Sequence, residues 1–201
     1  MSSIKLKHSG GNGVIIAAPS SNPASDRTLT VPSNADGTIL TTTNPKAGNI
    51  IQVVSTTKTD TFSSSTTNLM VDITGLSATI TPSATSSKIL ILYDTQMSGT
   101  ELFFIQLVRG STNVKIGDSD SSNRIECTVG GFKQEENADK VAPVSGSFLD
   151  SPNTTSAVTY KMQGRIYNSG NSFTVNKPIN DSNALYTGRG ASTITLMEVA
   201  G

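Results

Sequence analysis

Apolar side chains in this chain recur at every second position, and that spacing restricts the fold more than any other feature. Leu69, Val71 and Ile73 alternate, Gly75 interrupts, and Leu76, Ala78 and Ile80 resume. Val158, Tyr160, Met162 and Ile166 alternate again, as do Ile194 and Leu196. A period of two places successive side chains on opposite faces of a strand, so each segment predicts a strand with one buried face. No stretch carries the 3.6-residue period of an amphipathic helix. Two runs, 89–92 and 102–105, are apolar throughout and predict strands buried on both faces. Turn formers separate the strands: Pro82-Ser83, Gly99, Gly110, Gly117, Gly130-Gly131, Pro143, Ser151-Pro152 and Gly170. Strands at a spacing of roughly 8–12 residues with such punctuation predict an all-β antiparallel sandwich or barrel.

Composition agrees with that expectation. Of 201 residues, 28 are Ser and 27 are Thr. These small hydroxyl side chains tolerate strands and turns and do not drive helices. Charged residues make up 15%, against roughly 25% in ordinary soluble proteins. The 15 basic and 15 acidic side chains cancel, which argues against a nucleic-acid binder, whose affinity comes from neutralising phosphates. One Cys excludes a disulfide framework within the chain or a Cys-rich zinc site, and one His removes most metalloenzymes. The first eleven residues contain no apolar signal core, and Val14–Ala18 is far short of the roughly 20 residues that span a bilayer. The expectations are therefore no signal peptide, no membrane insertion and no nucleic acid.

The chain changes character near Pro45. Residues 1–45 hold short apolar pieces separated by Gly-, Ser-, Asn- and Pro-rich turns, too few to make a core. They predict a β-rich N-terminal arm that completes its hydrogen bonds against other copies or a partner, because isolated hairpins are marginal. Residues 46–201 predict one compact β domain. Within it, Ile80-Thr-Pro82 ends a strand, since Pro cannot donate to a continuing ladder. Arg109-Gly-Ser-Thr-Asn113 is a hairpin connection, and Asp150-Ser-Pro152 is a turn whose Asp can bond its own following backbone.

Chemistry-bearing residues are sparse. His8 is the only His and lies in a Gly-flanked terminal segment, so no Ser-His-Asp arrangement is expected. Cys127 reads as a buried, inert thiol in a strand, with no second His to activate it. Asp118-Ser-Asp120-Ser-Ser-Asn123 opens like a calcium loop. It has Asn123 where the loop needs Gly and Val129 where it needs a bidentate carboxylate, so it reads as a polar turn. Gly10-Gly-Asn-Gly13 has no Lys-Ser/Thr after it and reads as a turn. Glu135, Glu136 and Asp139 share one charged loop with no opposing acidic cluster, which does not suit a glycosidase pair. No catalytic residue, metal site or cofactor is expected.

The order of motifs resembles a known kind of virion protein. LTVPSNADGTILTTTN (29–44) is similar to the N-terminal cassette of phage tail-fibre proteins. The series TNLMVDITGLSATITPSATSSKILIL (67–92), FFIQLVRGSTNVKIGDSDS (103–121), FLDSPNTTSAVTYKMQGRIY (148–167) and GRGASTITLMEVAG (188–201) resembles the jelly-roll domain of phage and cyanophage fibre-type proteins. The resemblance implies a trimeric jelly roll of the tumour-necrosis-factor type, with aliphatic and aromatic side chains on the threefold axis. It also implies a virion protein assembled in the host cytoplasm, attached to other virion proteins through residues 1–45. A capsid decoration or head-fibre protein and a small glycan-modifying enzyme are the alternatives.

Two irregular loops, 132–140, with five charged groups in nine residues, and 176–190, read first as solvated loops or a single helical turn, and in the alternative as loops facing a host-surface glycan or protein. Phe132, Lys133, Asn183, Tyr186 and Arg189 are the candidate receptor contacts. Arg189 has a purely structural alternative, a carboxylate or main-chain carbonyl partner.

Overall fold

The computed structural model describes residues 3–17, 20, 45–118, 123–133 and 138–201. The chain divides into two units, Met1–Ile39 and Leu40–Gly201. In the first, β1 (Ser3–Lys7) and β2 (Gly13–Ala17) form an antiparallel hairpin. Its turn is closed by the His8 amide donating to the Asn12 carbonyl at 2.7 Å, with Gly11 at a φ of 98°. The Gly10–Gly13 segment is thus a turn, as expected. The expected fibre-type cassette over 29–44 lies outside the described residues, as do Glu135 and Glu136 and the middle of the 118–123 segment.

The second unit is an all-β antiparallel sandwich. Its strands are β3 (Ile50–Lys58), β4 (Phe62–Ser64), β5 (Val71–Ile80), β6 (Lys88–Gly99), β7 (Phe103–Arg109), β8 (Thr112–Val114) and β9 (Val129–Phe132). β10 (Ala142–Asp150), β11 (Val158–Ile166), β12 (Phe173–Val175) and β13 (Ser192–Val199) follow, and no helix occurs among the described residues. One sheet runs β3-β13-β6-β10 and the other β5-β11-β7-β8, with β9 continuing along the edge that β8 takes on β7. The long strands pair first with last (β3 with β13), second with penultimate (β5 with β11), and then β6 with β10. That nesting, with the chain passing back and forth between sheets, is the jelly-roll arrangement.

Met97 of β6 pairs Ala142 of β10 and also Val175 of β12, so these two strands take opposite edges of β6. β12 therefore shares its edge with β13, the two lying in tandem, and β4 pairs β12 much as β3 pairs β13. Both strand lines are broken at one level, and the chain between β12 and β13 leaves the sheet there.

The core fills the space between the sheets. Ile89, Ile91, Tyr93 and Met97 of β6 and Ile194 and Leu196 of β13 meet Ile73, Leu76 and Ile80 of β5, Tyr160 and Met162 of β11, and Ile105 and Leu107 of β7. Gly75, at a φ of 82°, makes the break in alternation a real bulge: Ser77 pairs Lys161 while Asp72 pairs Gln163. Only a residue that tolerates positive φ lets Ile73 and Leu76 both face inward.

Three local expectations are corrected. The run at 89–92 faces the core on one side only: Ile89 and Ile91 are buried, but Leu90 is half-buried and Leu92 is exposed, because no other strand of this unit covers that sheet's outer face. The Asp150 carboxylate accepts not from its own following backbone but from the Tyr160 hydroxyl at 2.6 Å and the Arg109 guanidinium at 2.7 Å. Cys127 lies just before β9 and is half-buried, and burial pushes its thiol pKa up.

Candidate functional site

The segment between β12 and β13 leaves the sheet from a buried latch. Asn176 has no exposed surface and takes a φ of 63°, which Asn tolerates better than most residues. Its side-chain amide donates to the Lys58 carbonyl at 2.8 Å and the Asp60 carbonyl at 3.0 Å, tying down the break between β3 and β4. Its side-chain oxygen accepts from the Ser192 hydroxyl at 2.6 Å, at the start of β13. Its backbone amide donates to Gln96, and its carbonyl accepts from the Gly190 amide, so both feet of the loop meet at one residue.

Above the latch the loop is braced from within. Arg189 donates twice to the Asp181 carboxylate, Nε at 3.0 Å and a terminal nitrogen at 2.6 Å. This two-pronged bond holds the Asp181 carboxyl below the usual carboxylate range. The Thr187 hydroxyl donates to the carbonyls of Ser182 and Ala184, and the Thr187 amide donates to Ala184. Asn180 reaches the neighbouring turn, its amide donating to the Ala138 carbonyl at 2.8 Å and its side chain to Asp139 at 2.6 Å. The two irregular stretches therefore touch through Asn180 and residues 138–139.

This bracing presents an apolar tip. Leu185 is fully exposed and Tyr186 is 70% exposed. Beside them a concavity of about 360 Å³ is lined by Asp181, Ser182, Asn183, Ala184, Thr187 and Arg189, with Gly188. Of the expected contact residues, Asn183, Tyr186 and Arg189 share this loop. Arg189 is engaged with Asp181, the carboxylate partner that was its structural alternative. Lys133 is exposed just after β9, and Phe132 ends β9 with its backbone paired to Phe103. Leu185 and Asp181 were not anticipated. An adjacent Leu-Tyr pair in a loop of Asn, Ser, Thr and Gly was the available signal for Leu185, and the eight-residue spacing of Asp181 and Arg189 gave none.

The remaining chemistry is sparse. His8 is exposed in the β1–β2 turn, its Nδ1 accepting from the Gly10 amide at 3.1 Å. No group of three or more His, Cys, Asp or Glu that could hold a metal occurs among the described residues. No described helix is long and apolar enough to cross a membrane.

The fold and this loop define an antiparallel jelly-roll sandwich with a braced, projecting loop. No family model matches the sequence, and no curated protein matches it. Among solved structures the chain is similar to one described as the structure of infectious bursal disease virus, Gt strain. That match has 15% identity and a TM-score of 0.37, and covers 94% of this chain and 48% of that one. It is also similar to the crystal structure of the same virus's VP2 subviral particle, with 16% identity and a TM-score of 0.35, covering 87% of this chain and 42% of that one. The chain spans less than half the length of these neighbours, and its fold assignment rests on its own strand order.

Proposed function

We propose that the protein is a structural subunit of a virus particle: a trimeric phage tail fibre or fibre-head protein. Residues 1–45 attach it to other virion proteins, and residues 46–201 form a body that holds the 177–190 loop toward a host-surface glycan or protein. The observation that carries this reading is the loop itself. A latch with no exposed surface and a set of internal hydrogen bonds hold Leu185 and Tyr186 in water, where apolar side chains gain nothing from folding. A rigid mount with an aromatic and an aliphatic tip suits an anchor that fills a partner's pocket. The motif order of the sequence supplies the virion context. Several copies on one particle convert weak single contacts into avidity.

The test combines location and adsorption. A particle reconstruction is expected to place the protein at the tail. Density on the shell would move it to capsid decoration, and absence from the particle would end the virion reading. Particles carrying Tyr186→Ala are expected to assemble normally and to lose adsorption at least tenfold, whereas normal adsorption would remove the loop from host binding.

A further inference from the structure

The outer face of the β3-β13-β6-β10 sheet carries an uninterrupted apolar row. The strand registers place Val53 beside Met197, Met197 beside Leu90, and Leu90 beside Leu149, one residue from each of four strands on the side away from the core. Val53 is 56% exposed and Leu149 47% exposed. Leu92 adds to the row on one side, and Ile50, paired with Val199, adds on the other. Next to it lies a hydroxyl tape in which Ser55 and Thr195, and then Thr57 and Thr193, hydrogen-bond across strands at 2.9 and 3.2 Å.

The outer face of the other sheet differs. There Asp72 accepts from Lys161 and Gln163, and Thr79 meets Thr159. One side of the sandwich is thus dressed for water and the other is not. A contiguous apolar band on a flat face marks a surface that something covers.

We infer that this face is covered by other copies of the same chain, through the row Val53–Met197–Leu90–Leu149. Charge decides the occupant. Among the outward positions of these four strands the only ionisable side chains are Lys88, which opens β6, and Asp94, in the middle of β6, and they lie on opposite sides of the row. A face with one cation on one side of the row and one anion on the other is complementary to itself: a second copy can set its Asp94 against this Lys88. An acidic or basic partner would leave one of the two opposed by like charge. The chain's formal charge of zero adds no repulsion between copies. Covering the face also resolves the sequence of β6, whose consecutive Ile89-Leu-Ile-Leu92 suits a strand buried on both sides and is half-wasted in a lone copy. The inference names the surface behind the trimer of the proposed function, but it stands on the face and not on the virion context.

The test uses the full chain in light scattering coupled to size exclusion. The wild-type mass is expected at three times the 21.0 kDa of one chain. Leu149→Lys and Val53→Lys, both at exposed positions, are expected to reduce it threefold while circular dichroism keeps its β signature. Thr159→Lys, on the other sheet's outer face, is expected to leave it unchanged. Lys88→Asp should weaken association, and Lys88→Asp combined with Asp94→Lys should restore it, an outcome that a merely misfolded single variant cannot produce. A wild-type mass of one chain at 100 µM would overturn the inference, as would face variants that keep the multimer. Any multimer that the face variants dissolve supports the face, even if its order is not three or the protein is absent from the particle. Those last two results would count against the proposed function alone.

Discussion

At the residue scale the fold spends its few buried charges on hydrogen bonds within the chain. Glu198 is 1% exposed on β13, and one carboxylate oxygen accepts from both the amide and the hydroxyl of Ser83, at 2.6 and 2.7 Å. Burial alone would raise this carboxyl's pKa. Hydrogen bonding to the carboxylate, mainly from Ser83, outweighs burial and leaves it below the ordinary glutamate value. The native state then holds the proton less readily than the unfolded chain, whose carboxyl titrates near about 4.3. The stabilisation is complete above that value and is lost as pH falls through the native pKa, because the unfolded state takes up the proton first. Urea midpoints of the wild type are therefore expected to fall between pH 5 and pH 3. Glu198→Gln, which cannot titrate, is expected to show a visibly shallower fall over the same range. Identical acid limbs would show that the Ser83–Glu198 bonds do not set acid sensitivity.

At the element scale, what the sequence disclosed depended on whether the controlling contact was local. Alternation across Val158, Tyr160, Met162 and Ile166 predicted a half-buried strand, and Tyr160, Met162 and Ile166 are all fully buried in β11. The interruption at Gly75 was legible because a bulge needs a residue of positive φ at that very place. β10 was not legible, since Pro143 and Gly146 interrupt it and its apolar residues, Ala142, Val144, Phe148 and Leu149, keep no strict alternation. The loop position of Asn183, Tyr186 and Arg189 could be read from composition. The latch beneath them could not, because Asn176 works through Lys58 and Asp60, 118 and 116 residues away. Removing that side chain tests its role. Asn176→Ala loses three side-chain hydrogen bonds and leaves the positive φ to Ala, which tolerates it less well than Asn. The expected cost is about 2–4 kcal/mol in urea denaturation, with faster amide exchange across 177–190. Asn176→Gly, which keeps the backbone freedom, is expected to cost less. A loss below about 0.5 kcal/mol with unchanged exchange would mean that the loop is held from elsewhere.

At the scale of the whole molecule, the buried contacts are those of the second unit. Among the described residues the buried core cluster runs from Ile73 to Leu196, whereas Ile4, Leu6 and Ile16 of the β1–β2 hairpin are exposed. Among the described residues of the second unit, the first bonds lie at its seam. The Gly48 amide donates to the Ala200 carbonyl at 2.8 Å, and the Ala200 amide donates to the Asn49 carbonyl at 2.9 Å, closing the edge where β3 meets β13. A chain starting at residue 46 keeps both bonds, and with them all of β3. One starting at residue 55 loses the seam, half of β3, and Val53 and Val54 with it. In a body of this size, 1 kcal/mol moves the melting temperature by about 2–4 °C. Deleting residues 1–45 is therefore expected to leave melting within about 2 °C of the full chain, with one cooperative transition and with the loop and the sheet face intact. Deleting residues 1–54 is expected to lower melting by 10 °C or more, because half of the edge strand β3 is lost from one side of the core. If the shorter deletion already abolishes cooperative melting, the arm is part of the folding unit. A particle role for residues 1–45 would then have to be separated from their role in stability before attachment could be assigned to them.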